Sequence, residues 1–353
     1  MKKLINYTIK CVLPVVFAVA ILWWMYRGFQ WEEVSAALSE DMSWTWMLLS
    51  LPFGVLAQVF RALRWREMLA PTDGRVRLSS CVHAIYLSYA SSLVVPRVGE
   101  VLRCGVLNRQ DGVSFSRLVG TVMSERVVDM LMVLLISSFT FLVEIPVFVR
   151  FCKYTGVSLD GLLHAFTSAG YLVAGACLLV ALVTGVFIIY KLNVFSRTRT
   201  VIRELQSGLL SVFRLKRPFW FFFHSVGIWV SYYLHFYLTF FCFDFTAHLG
   251  PMVALVAFVV GSFAVLVPTP NGAGPWHFAV KTVLVLFGVS AVNGAMFALL
   301  VHSIQTLLVA LLGLYALAAI GLDKRRTVLD ASANTENPYS LEKRRHEIGT
   351  YRD

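Results

Sequence analysis

The sequence predicts an all-α polytopic membrane protein: six full transmembrane helices plus two oppositely inserted re-entrant helical hairpins, eight membrane segments in an inverted-repeat-like order. Three observations carry that prediction. Mean hydropathy is +0.71, and only 14% of residues are charged, well under the roughly 25% of a soluble domain. Apolar stretches of about 20 residues, the length that crosses a bilayer core, recur along the chain. Two further apolar segments are broken by proline and glycine, at Leu93 to Glu100 through Pro96 and Gly99, and at Leu266 to Pro275 through Pro268, Pro270, Asn271, Gly272 and Gly274. A membrane tolerates broken backbone only where protein or a water-filled cavity satisfies the freed polar groups, and paired discontinuous helices mark transporter binding sites. Two ordinary loops between spans are the other reading of the same breaks.

The first span, 8–26, follows Met1-Lys2-Lys3 as a signal peptide would. Trp23-Trp24-Met25-Tyr26-Arg27 stands where a small-residue cleavage site belongs, so the span is read as uncleaved. Loop 27–43 holds Glu32, Glu33, Glu40 and Asp41 and faces outside; span 44–62 follows. The connection 61–78 carries Arg61, Arg64, Arg66, Arg75 and Arg77, and the stretch 97–117 carries Arg97, Arg103, Arg109 and Arg117. By the positive-inside rule both flanks of the first broken segment, 79–110, are cytoplasmic, so it enters and leaves on one face.

Span 118–143 leads to an outside loop, 144–167, in which Arg150 and Lys153 run against the rule. Span 168–190 returns to a basic inner loop, 191–217, and span 219–243 crosses again. The second broken segment, 251–289, lies between Asp244 with His248 and the uncharged Ser290 to Asn293, so it enters from outside. Span 292–320 ends at Lys324-Arg325-Arg326, which puts both termini in the cytoplasm. Residues 1–322 are thus one membrane domain, and 323–353, polar and without apolar period, are read as a disordered cytoplasmic tail.

Net charge of +11 falls in short loops and the tail, which argues for membrane orientation and against a nucleic-acid partner. The six cysteines form no CxxC pair and have no histidine at zinc spacing; they read as small hydrophobes, with no metal or disulfide. The sequence holds no GxxxxGK[ST] nucleotide loop, so an ion gradient or the lipid's own gradient is left to drive transport. No catalytic residue and no cofactor is assigned.

The binding candidates cluster at the breaks. Arg97, Glu100 and Arg103 are spaced by threes on one side of a helix restarting after Pro96. A helix start attracts anions, and two arginines there suit a phosphate, with Glu100 orienting one of them. A structural Arg–Glu pair at the water interface is the plain alternative. After Asn271-Gly272-Ala273-Gly274, Pro275 suits the first position of a new helix, and His277 and Lys281 then share a face. An intramembrane lysine is a functional candidate by default, snorkelling being the alternative. Glu125, Arg126 and Asp129 open span 118–143; they pair with Arg97, Arg103 or Arg64 behind the first hairpin, or mark the membrane edge.

The ordered set Arg61-Ala62-Leu63-Arg64-Trp65-Arg66, Pro96-Arg97-Val98-Gly99-Glu100 with Arg103, Ser124-Glu125-Arg126 with Asp129, and Pro268 to Gly274 resembles the lysylphosphatidylglycerol synthase transmembrane-region family, over about residues 8–322. The resemblance implies a flippase-like, multi-pass protein of a bacterial inner membrane, whose best-understood relatives move aminoacylated phospholipid between leaflets. It implies membrane lipids as partners, and a separate synthase or glycosyltransferase where that domain is not fused. Many members follow the second glycine motif with a glutamate, whereas this chain has His277, which weakens the case for a cationic headgroup. The leading expectation is a translocase for a phosphate-bearing lipid or lipid-linked precursor. An intramembrane enzyme on a lipid-linked substrate, and a non-transporting partner of a synthase, are the alternatives.

Overall fold

The computed structural model describes residues 42–70, 76–145 and 196–336, with a few single positions between 16 and 32. The expected span 168–190, much of the span 8–26, most of loops 27–43 and 144–167, and residues 337–353 lie outside the described residues. Among the described residues the secondary structure is helical, with no strand. Helix α1 is Trp44–Leu69, α2 Leu78–Ser92, α3 Val98–Asp111, α4 Phe115–Val143, α5 Ser196–Leu209, α6 Pro218–Tyr237, α7 Gly250–Ala264, α8 Pro275–Leu286 and α9 Ala291–Glu336. Three are long and apolar enough to cross a membrane: α1, α4 and the Ala291–Asp323 part of α9. This is a helical membrane protein.

Helix α1 corrects one boundary. The apolar count ends near residue 62, yet the helix runs to Leu69 because Trp65, Met68 and Leu69 are fully buried. Ala70 keeps helical backbone and donates its N–H to the Arg66 carbonyl oxygen at 3.0 Å; Pro71 follows, and with no N–H it cannot supply the next helical bond. Arg61, Arg64 and Arg66, expected in a connection, are therefore helical residues. At the other end of the chain the backbone of α9 stays helical beyond residue 322, to Glu336.

Two helical hairpins organise two cores. Helices α2 and α3 pack on each other, and with α1 and α4 they enclose Trp65, Leu69, Cys81, Ile85, Cys104 and Leu118. Helices α7 and α8 do the same, and with α6 and α9 they enclose Phe236, Val280, Leu284, Phe297 and Val301. The halves join where α1 lies along α6 and α2 along α9. Gly99 permits the α2–α3 crossing, since a Cβ there would sit 1.9 Å from the Ser88 carbonyl oxygen. At the base of this hairpin the Asp111 carboxylate accepts from Arg77 N at 3.1 Å, Arg77 Nε at 3.0 Å and Ser80 Oγ at 3.0 Å. That hydrogen bond raises the Arg77 guanidinium above its ordinary value.

The outward faces are apolar. Along α4, Met130, Leu131, Leu135 and Leu142 are each at least 60% exposed, as expected of side chains that meet acyl chains. Helix α6 presents Phe219, Phe222 and Phe223 in the same way. A buried histidine joins α6 to α1: His235 Nδ1 lies 2.8 Å from the Ser50 carbonyl oxygen. That contact makes Nδ1 the donor, because a carbonyl only accepts.

Candidate functional site

Pro96 and the left-handed Arg97 (φ 64°) end the first limb of one hairpin; Pro270, Asn271 (φ 51°), Gly272 and Gly274 shape the other. Among the described residues Arg97 and Asn271 are the only non-glycine residues at positive φ. A left-handed residue that is not glycine costs about 1–2 kcal/mol, and such strain gathers at functional positions. The two tips touch: the exposed Arg97 reaches across, its Nη2 3.4 Å from the Leu266 carbonyl oxygen. Helix α8 starts at Pro275, with Gly274 as its N-cap at φ 89°.

Behind the first tip lies a buried charge cluster built by three helices. Arg61 and Arg64 stand three apart on α1, Arg103 comes from α3, and Glu125 and Asp129 stand four apart on α4. Arg61 Nη1 is 2.7 Å from Asp129 Oδ2 and 3.3 Å from Glu125 Oε1; Arg64 Nη2 is 2.6 Å from Asp129 Oδ1 and 2.9 Å from Glu125 Oε1. Arg103 Nη2 meets Glu125 Oε2 at 2.7 Å, at an angle that is not a hydrogen bond's. The Arg103 guanidinium also lies 4.8 Å from the centre of the Trp65 ring, and Trp65 Nε1 donates to Thr121 Oγ1 at 2.9 Å.

Counted by charge, three buried guanidiniums face two buried carboxylates. Among the described residues, Arg61 Nε, Arg64 Nε and Nη1, and Arg103 Nε have no hydrogen-bond partner. A buried charge is costly unless paired and hydrogen-bonded, so this cluster is short of acceptors. At its edge Arg126 Nε pairs with Glu100 Oε1 at 3.0 Å, and Arg126 Nη1 approaches Asp129 Oδ2 at 3.4 Å. The Glu100 and Arg126 side chains are 39% and 43% exposed.

The sequence reading grouped Arg97, Glu100 and Arg103, with Glu100 orienting an arginine of that set. The structure separates them: Arg97 turns to the second hairpin, Arg103 goes inward to Glu125, and Glu100 pairs with Arg126. Of the partners expected for the α4 carboxylates, Arg64 and Arg103 reach them, while Arg97 has its contact at Leu266. Arg61 was missed as a site residue, although its spacing from Arg64 places both on one helix face. Tyr89 and Tyr232 extend the polar seam: Tyr232 Oη donates to Tyr89 Oη at 3.0 Å, and Arg61 lies 5.8 Å from the Tyr89 ring centre. No local pattern announces that contact between residues 143 apart.

At the second tip His277 is 3% exposed, its ring centre 4.5 Å from that of His302. Gly274 N donates to His277 Nδ1 at 3.3 Å. His302 Nε2 is 3.1 Å from the Asn271 carbonyl oxygen, and Asn271 Nδ2 donates to Thr306 Oγ1 at 2.7 Å. Lys281, one turn beyond His277, is half-buried. Among the described residues no group of three or more His, Cys, Asp or Glu side chains could hold a metal ion.

Residues 11–313 match the family described as "Lysylphosphatidylglycerol synthase TM region". No curated protein matches the chain.

Proposed function

The chain belongs to the lysylphosphatidylglycerol synthase transmembrane-region family, a membrane domain related to lipid handling, and from that premise we propose that it is a lipid translocase of a bacterial inner membrane. It moves a phosphate-bearing lipid or lipid-linked precursor between leaflets. The headgroup passes where the two hairpin tips meet, and the chains stay in the bilayer. The observation that carries this reading is the contact of the tips through Arg97 and Leu266, in front of a buried cluster richer in guanidinium than in carboxylate.

Helix length supports the re-entrant arrangement. Helices α2 and α7 have 15 residues each, α3 has 14 and α8 has 12. At 1.5 Å per residue these limbs are about 18–22 Å long, short of the roughly 30 Å of a bilayer core. Limbs of that length support the reading in which each ends inside the membrane and each pair returns to the face it entered. The loop charges support faces on opposite sides.

In this reading Arg97 meets the phosphate first, being exposed and set at the start of α3, where free N–H groups already favour an anion. Arg126 and Glu100 form a pair that opens to admit the headgroup, and Arg61, Arg64 and Arg103 supply the positive field behind it. Lys281 meets the headgroup from the other tip, and His277, buried while that tip is closed, meets it only when the tip opens.

Reconstitution into liposomes with acyl-labelled phosphatidylglycerol tests the proposal, leaflet transfer being followed by quenching the outer-leaflet label with an impermeant reductant. Arg97→Ala is expected to slow transfer on the order of tenfold, the worth of one charge-assisted hydrogen bond of about 1.5 kcal/mol. Arg97→Lys should restore part of the rate, since it keeps the charge and loses the planar fork. Transfer by Arg97→Ala equal to that of the parent protein would remove Arg97 from the path.

A further inference from the structure

The hydrogen bonds at the second tip fix the protonation of both histidines. A backbone N–H only donates, so His277 Nδ1, which accepts from Gly274 N, carries no proton. A carbonyl only accepts, so His302 Nε2, facing the Asn271 carbonyl, carries one. His302 Nδ1 then lies 3.4 Å from Thr306 Oγ1, whose oxygen already accepts from Asn271 Nδ2 and whose hydrogen is free to turn to the ring. His277 is therefore neutral in this conformation, and the two rings hold the break from both ends: His302 at Asn271, His277 at Gly274.

We propose that the His277–His302 pair is a proton-binding site that couples release of the second hairpin tip to uptake of one proton. A proton delivered from water to His277 Nδ1 occupies the lone pair that Gly274 N–H uses. The ring becomes a cation with N–H on both nitrogens, and Gly274 N–H loses its acceptor at the first turn of α8. The backbone there is already poised to move, with Asn271, Gly272 and Gly274 all at positive φ. His302, 4.5 Å away between ring centres, limits the pair to a single proton, because a second cation at that distance repels the first.

Among the described residues the proton's charge has no local counter-ion. Facing His277 are His302 from α9, Trp276 of its own helix and Tyr26, edge-on at 6.1 Å with its hydroxyl on the Ala295 carbonyl. Lys281 follows one turn along α8, and neither α7, α8 nor α9 up to residue 322 carries a carboxylate. Asp323, at the far end, is paired with Arg77. The closed tip therefore excludes the proton and the released tip admits it, so acid shifts the balance toward release. Coupling to lipid movement rests on the translocase reading; the proton site does not.

The test uses the full chain in lipid nanodiscs with a spin label on Ala273→Cys, in a background where the six native cysteines are replaced. As pH falls from about 8 to about 5, the range in which imidazoles change charge, the ratio of mobile to immobile label should rise by up to about tenfold per pH unit, the limit for one linked proton. His277→Asn keeps an acceptor near the Nδ1 position for Gly274 N–H and takes up no proton, so its label should stay immobile throughout. A flat profile in the parent, the same rise in His277→Asn, or a slope steeper than one proton overturns the proposal. In liposomes with an imposed pH gradient, a responding tip without lipid transfer would refute the translocase reading and leave the proton site standing. Transfer that ignores the gradient would refute the coupling.

Discussion

Glu125 holds the first hairpin's charge cluster together, because it alone touches all three buried arginines. Replacing both sides of a buried ion pair with apolar groups is often neutral, whereas removing one partner strands a charge and costs about 3–5 kcal/mol. Glu125→Gln should therefore lower stability by that amount in detergent, read as a shift in the thermal or denaturant midpoint. Pairing it with Arg103→Met should recover part of the loss, since Arg103 has lost its carboxylate and still packs on Trp65. A loss below about 1 kcal/mol, the scale of an exposed pair, would mean that water reaches the cluster in the folded state. The exposed pair of Arg77 with Asp323 is the internal contrast.

The hairpins depend on how closely their limbs approach and on how their breaks are shaped. Gly99→Ala puts a methyl group against the Ser88 carbonyl oxygen, and prising α2 from α3 should cost about 1–3 kcal/mol. Gly105→Ala, on the same helix with open space around it, should gain about 0.5–1 kcal/mol by helix propensity. Melting both variants side by side separates crossing geometry from propensity; equal effects would contradict the close crossing. Both breaks were legible in the sequence because Pro96, Pro270, Gly272 and Gly274 punctuate an otherwise apolar pattern. The extension of α1 to Leu69 was not, because hydropathy counts Arg61 and Arg64 as the end of a span and takes no account of their partners on α4. The carboxylates that make those arginines affordable are more than 60 residues away, so pairing across the fold overrode the local count. The same limit hid the roles at the second tip, where His302 has no meaning until α9 brings it to Asn271 and His277.

At the scale of the molecule, two half-length hairpins with separate cores touch at their tips, and their residues differ: arginine and glutamate at one, histidine and lysine at the other. Such a pair works as a passage only if the hairpins enter from opposite faces, for then the tips meet inside the bilayer and each base opens to one side. The base of the first hairpin ends at exposed Arg109, near Asp111; the second ends at exposed Ser290. In a cysteine-free background, Arg109→Cys should react with an impermeant maleimide only in inside-out membrane vesicles, and Ser290→Cys only in right-side-out ones. Helix boundaries shift neither site across a bilayer; both residues are exposed, and the bond at stake is the N-cap one that Ser290 Oγ accepts from Asn293 N, worth about 1 kcal/mol, so the substitutions should leave the fold intact. Labelling of both from the same side would end the inverted arrangement and with it the shared passage, since two hairpins rooted in one face leave the opposite leaflet closed.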